Sequence, residues 1–169
     1  TVAYALSQMD LALFGYALPE LRREWGLDLT TVGLSVSVAF VAGGLILAAL
    51  GNLTDRFGRR SMLLFGTLAA PLFVAAHAFA PGIVALTILR TFAVATGGLS
   101  YPVTGALVSE QAPARWRGVY AGLLQVGYPL GWLFGSLLAA PLVHRFGWRS
   151  VFLVALGSLP GALLVWKGL

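Results

Sequence analysis

The sequence predicts an all-α membrane protein of six transmembrane helices. Two features of its composition carry that prediction: the 169 residues are 59% hydrophobic and 10% charged, and their mean hydropathy is +0.87, far from the make-up of a soluble domain. A third is the clumping of the charges, which leaves apolar stretches of about 20 residues, the length that crosses a hydrocarbon core as a helix. Backbone groups in lipid must be paired within the segment, and the stretches lack the strict two-residue alternation of a barrel strand.

The spans read, in order, as Thr1 to Leu21, Thr30 to Leu50, Ser61 to Ala80, Ile83 to Ser109, Val119 to Val143 and Ser150 to Trp166. The first ends at the polar connection Arg22 to Leu29, and the second at a loop that opens on Gly51. The third begins after the charged run Asp55 to Arg60 and is parted from the fourth only by Pro81-Gly82, a tight turn. The fourth stops at Glu110 to Gly118, and His144 to Ser150 separates the fifth from the sixth. This leaves no extramembrane domain. The chain opens inside an apolar stretch with neither a starting Met nor the charged region and cleavage site of a signal peptide, and reads as a fragment.

Net charge is +5 and the isoelectric point near 10.2, yet the eleven Lys and Arg lie mostly in short loops rather than on one basic face, so nucleic acid is not the expected partner. The loop charges bear on orientation instead. Arg56, Arg59, Arg60, Arg115, Arg117 and Lys167 lie on one side and Arg22, Arg23, Arg145 and Arg149 on the other, which makes the first side cytoplasmic under the positive-inside rule. Without cysteine there are no disulfides, thiolate metal sites or thiol nucleophiles. His77, near a span end, and His144, in a loop, are too isolated for a zinc site and read as structural or interfacial. No phosphate-binding loop, nucleophile elbow or hydrolase-like carboxylate pair is present, so neither an enzyme nor an ATP-driven pump is expected, nor any cofactor or metal.

The run Asp55-Arg56-Phe57-Gly58-Arg59-Arg60-Ser61 is echoed by His144-Arg145-Phe146-Gly147-Trp148-Arg149-Ser150, with five of seven positions identical. Three spans separate the copies, as in the three-plus-three inverted repeats of transporters; a chance likeness of short basic loops is the alternative.

Gly51-Asn52-Leu53-Thr54-Asp55-Arg56-Phe57-Gly58-Arg59-Arg60 resembles the signature loop G-x-L-x-D-R-x-G-R-R/K of the major facilitator superfamily. The stretch from Arg90 through Gly97, Gly98 and Pro102 to Glu110-Gln111-Ala112-Pro113-Ala114-Arg115-Trp116-Arg117-Gly118 resembles a second motif of its sugar and organic-acid members, with Ala93 and Ala95 at two usual glycine positions. The segment from Asp10 through Gly15-Tyr16 to Pro19 and Leu21 is similar to the first span of aromatic-acid and related metabolite:proton symporters, although Ser7 replaces their earlier acidic residue. The antiporter motif G-x-x-x-G-P-x-x-G-G is not present. The resemblance implies the amino-terminal half of a carrier that needs a second six-helix half, and proton-coupled symport of an organic acid or similar metabolite by alternating access. It also implies a multi-pass protein of a bacterial-type inner membrane, and a gating loop of Gly51, Asp55, Arg56, Gly58, Arg59 and Arg60, with Glu110 and Arg117 as a charge pair beside it. A solvated loop that only sets topology is the plainer reading of those charges. A sugar or drug carrier of the same superfamily and a six-helix scaffold that does not transport are the competing functions.

Ionisable residues inside a membrane mark function, because a charge near the bilayer centre costs at least about 2.5–3.5 kcal/mol. Asp10, mid-span, suits a proton carrier if its carboxyl is desolvated; an ion-pair role in a water-filled mouth is the alternative. Arg90, about 10 Å into its span and within snorkelling reach of its end, suits either an anionic solute or pairing with an acid such as Asp10. Gly127, Gly131 and Gly135 form a stripe for close helix approach, and Gln125, Tyr128 and Trp132 share an adjacent face, either as a solute-binding wall or as packing and interfacial anchors.

Overall fold

The computed structural model describes residues 2–160, apart from the side chains of residues 2, 3, 7, 10, 107 and 111. The helices are α1 (Val2–Glu24), α2 (Leu29–Phe57), α3 (Arg59–Ala76), α4 (Ile83–Gly98), α5 (Ser100–Gln111), α6 (Arg117–Phe146) and α7 (Trp148–Leu153). Short 3₁₀ segments at His77–Phe79 and Val154–Ser158 prolong α3 and α7. By length and hydropathy, Leu29–Phe57, Arg59–Phe79, Ile83–Glu110 and Ala114–Phe146 are each able to cross a membrane. Helix α1, at 23 residues, is long enough but interrupts its apolar run with Ser7, Gln8 and Asp10. The sixth expected span is described only as far as residue 160.

The fourth span, expected as one rod over Ile83 to Ser109, breaks into α4 and α5 at Leu99. Pro102 has no N–H to give the carbonyl of Gly98, and the Leu99 N–H closes a tighter turn on Thr96 at 3.3 Å. Threonines elsewhere keep their hydroxyls satisfied by bonding the carbonyl one turn back, as Thr67 does to Leu63 and Thr91 to Thr87.

The inverted repeat is visible in the packing. Taking α1–α3 as one repeat and α4–α7 as the other, the first helix of each packs on the second helix of its counterpart, and α1 on α6 and α4 on α2 are the two largest interfaces. Each is closed by glycine: a Cβ on Gly131 would meet the Met9 nitrogen at 2.9 Å and the Ala5 carbonyl closer still, and one on Gly43 would meet the Thr91 carbonyl at 2.9 Å. Each also carries an interhelical hydrogen bond, Tyr16 to Ser136 at 2.9 Å and Ser35 with Thr87 at 2.7 Å. The echoed loops match in backbone as well. Gly58 and Gly147 sit at φ +83° and +77°, and their N–H groups cap the preceding helix on Thr54 and Val143. Only glycine adopts that conformation without a steric penalty, which is why both copies keep it.

Candidate functional site

Arg90 anchors the site. It lies on α4 with 4% of its surface exposed, in a helix otherwise built from Ile, Val, Ala, Leu, Thr, Phe and Gly. Its guanidinium sits over the Phe14 ring of α1, 4.1 Å from the centroid, and 5.9 Å from that of Phe40 on α2. A desolvated cation on an aromatic face is held by about 2 kcal/mol. Although within snorkelling reach of its span end, Arg90 is held inside the bundle by the rings of α1 and α2.

Phe14 is fixed in turn from behind. His77 meets it edge-on at 6.1 Å and lies 5.1 Å from Phe152, and Phe152 contacts Trp148 at 5.9 Å. His77 is fully buried, the structural rather than the interfacial of its two expected roles. Its Nδ1 lies 2.6 Å from the Phe73 carbonyl, which only accepts, so Nδ1 carries the proton and donates it there. Proximity of the three-residue run after α3 to the chain turn hides this from sequence, because the burying rings come from α1 and α7.

Beside Arg90 is a cavity of about 170 Å³ whose wall includes Gln8, Phe40, Leu47, Val74 and Val94. It is the size of one ring: an engineered apolar cavity of about 150 Å³ takes benzene. A fixed cation at the edge of an apolar slot suits a small ring with an anionic group.

The other expected wall residues lie elsewhere. Gln125 lines a separate cavity of about 430 Å³ between α5 and α6, with Tyr101, Ser109 and Arg117. Tyr128 and Trp132 pair with each other at 6.2 Å and are 48% and 38% exposed. The structure thus does not bring these three into the Arg90 cavity. Asp10 is on α1, two residues beyond Gln8, but its side chain lies outside the described residues. Gln8, Phe14 and Phe40 are the contributors sequence reasoning passed over; the one available signal was a second polar residue within two positions of Asp10.

At the charged loops, Arg59 forms an ion pair with Glu110, where Arg117 was the expected partner; among the described residues Arg117 pairs with no carboxylate. Asp55 and Arg56 are exposed, and a Cβ on Gly51 would meet nothing within 4 Å. On the opposite end of the bundle Arg149 pairs with Glu24 at 2.8 Å, and the Trp148 indole N–H donates to the same carboxylate at 2.5 Å. The two pairs are related by the repeat: each joins the start of one repeat's third helix to the end of the other's first.

The bonds from Trp148 and then Arg149 hold the Glu24 carboxyl below its ordinary value of 4.5. A lowered folded-state pKa means the brace is complete above about pH 4.5 and is lost as pH falls through the depressed value. Tryptophan emission is expected to be flat from neutral pH to about 4.5, to change only below it, and to lose that acid step in Glu24→Gln. A step near neutrality would contradict this assignment.

Residues 1–168 match the Major Facilitator Superfamily. The chain belongs to that superfamily. Within it, the chain is 34% identical over 160 residues to the niacin transporter NiaP of Acinetobacter baylyi, covering 94% of this chain and 36% of that protein. It is 32% identical over 167 residues to the 4-hydroxybenzoate transporter PcaK of Pseudomonas putida, covering 95% and 37%, and 35% identical over 157 residues to the gallate transporter of Pseudomonas putida, covering 92% and 34%. The chain thus spans about a third of the length of the curated relatives it matches. This is an integral, multi-pass membrane protein of a superfamily whose matched members are named as transporters, not enzymes.

Proposed function

We propose that the chain is the amino-terminal six-helix half of a secondary carrier that moves a small aromatic or related organic acid across a bacterial inner membrane, coupled to protons, by alternating access against a second six-helix half. The observation that carries this reading is the buried Arg90 at the edge of a one-ring apolar cavity. Its support outside the structure is that the relatives are named for niacin, 4-hydroxybenzoate and gallate.

In this mechanism Arg90 holds the solute's carboxylate by charge-assisted hydrogen bonds and Phe40 packs against its ring. Asp10, two residues and about half a turn from Gln8 on α1, carries the proton, since a carboxyl desolvated mid-span is neutralised by protonation. Arg56, Arg59, Arg60 and Asp55 with Glu110 form a cytoplasmic latch that meets the second half; the open space beside Gly51 supports a close approach there. Gln125, Tyr128 and Trp132 present a half-exposed polar and aromatic wall to that half, and Arg117 lies at its foot.

The test is uptake of labelled 4-hydroxybenzoate, niacin and a sugar into proteoliposomes bearing the protein from its complete reading frame, with and without an inward proton gradient. Gradient-driven accumulation of the acids, lost in Asp10→Asn while solute exchange persists, is the expected result. Uptake indifferent to gradient and mutation would overturn the coupling, and uptake of the sugar alone would overturn the solute class.

A further inference from the structure

Gln8 is the second polar group of the Arg90 cavity. Its Oε1 is buried and, among the described residues, has no hydrogen-bond partner. A buried carbonyl oxygen left in that state is costly, and such groups occur in native proteins where a ligand or water completes them. The base of the side chain is fixed: a Cβ on Gly131 of α6 would meet the Gln8 Cβ at 2.7 Å, so α6 is packed against it. Gln8 is among the residues that line the cavity with Arg90 and Phe40.

The two polar groups come from different helices and differ in kind. Arg90 on α4 is a donor with a permanent positive charge, and Gln8 on α1 offers an acceptor. One ring fills the space between the cavity walls, so a solute whose carboxylate lies on Arg90 has its ring beside Gln8, whose acceptor no described residue satisfies.

We propose that Gln8 determines specificity at this site by accepting a hydrogen bond from a hydroxyl or N–H group carried on the ring of the bound acid. The inference rests on the reading of the Arg90 cavity as the solute site. A pocket that contains a buried acceptor discriminates against an analogue lacking the donor, because the analogue leaves the acceptor unpaired.

The test is equilibrium binding of benzoate and of its 3- and 4-hydroxy derivatives to the purified protein from its complete reading frame, in wild type, Gln8→Leu and Arg90→Leu. In wild type at least one hydroxy acid should bind about tenfold more tightly than benzoate, the equivalent of one hydrogen bond at 1.4 kcal/mol per decade. In Gln8→Leu that ratio should fall to about one, with benzoate binding kept or improved. Because the ratio is taken within one preparation, partial misfolding does not change it. An unchanged ratio in Gln8→Leu, or equal loss of all three acids, overturns the role of Gln8. Arg90→Leu is expected to weaken all three together; if it leaves them unchanged while the Gln8 ratio collapses, the carboxylate assignment fails and the role of Gln8 stands. If wild type binds none of the three, both fall.

Discussion

Replacing Arg90 by Leu is expected to weaken binding of an aromatic carboxylate by at least thirtyfold, because truncating one partner of a buried, hydrogen-bonded charge pair costs about 2–5 kcal/mol. The same substitution removes the guanidinium from the Phe14 ring but also removes its desolvation cost, so its effect on thermal stability in detergent should be smaller than its effect on binding. Desolvating a guanidinium is expensive, and Leu is at home among the apolar neighbours that α4 already has. Arg90→Lys should fall between the two, since it keeps the charge but loses the planar fork that matches a carboxylate and sits over Phe14. Titration calorimetry and a thermal-shift series on the three proteins check both halves of the prediction. Loss of binding that simply tracked loss of stability would reduce Arg90 to a structural residue.

The second large effect belongs to Gly131. Any side chain there strikes the α1 backbone at Ala5 and Met9, which cannot rotate away, so α1 and α6 must separate along the largest interface of the fold. Gly131→Val is expected to destabilise by about 3 kcal/mol, the upper end of ordinary overpacking, and to displace Gln8 with it. Gly122→Ala, on the same helix with nothing within 4 Å of the added carbon, is the control and should be neutral or slightly stabilising. The melting temperatures of the two variants in detergent measure the difference; equal values would mean that α1 and α6 are not held at this distance.

Much of the architecture is legible in the sequence because the bilayer allows few alternatives. Apolar length sets the spans, and the charged runs at Asp55 and His144 set the loops. The glycine stripe on α6 names the face that receives α1, and the likeness of two loops reveals a repeat that Gly58 and Gly147 share in backbone form. What could not be read is which side chains converge. A stripe on one helix says that a neighbour comes close, not which residues of that neighbour it brings. Arg90 was legible as a charge needing company, but Phe14 and Phe40 look like any other apolar residues until α1 and α2 are placed around α4. The same holds for His77, whose burial depends on rings from two other helices. Gln125, Tyr128 and Trp132 do share one helical face, as their spacing requires, yet none of them lines the Arg90 cavity. Periodicity on one helix fixes a direction relative to that helix alone.

Photolabelling with 4-azidobenzoate locates the solute, which in this mechanism lies beside Arg90 among α1, α2, α3 and α4. Labelled peptides carrying Phe40 and Val94 are expected, protected by excess 4-hydroxybenzoate and lost in Arg90→Leu. Protected labelling confined to Gln125 through Trp132 would contradict this mechanism and place the solute on the face of α6.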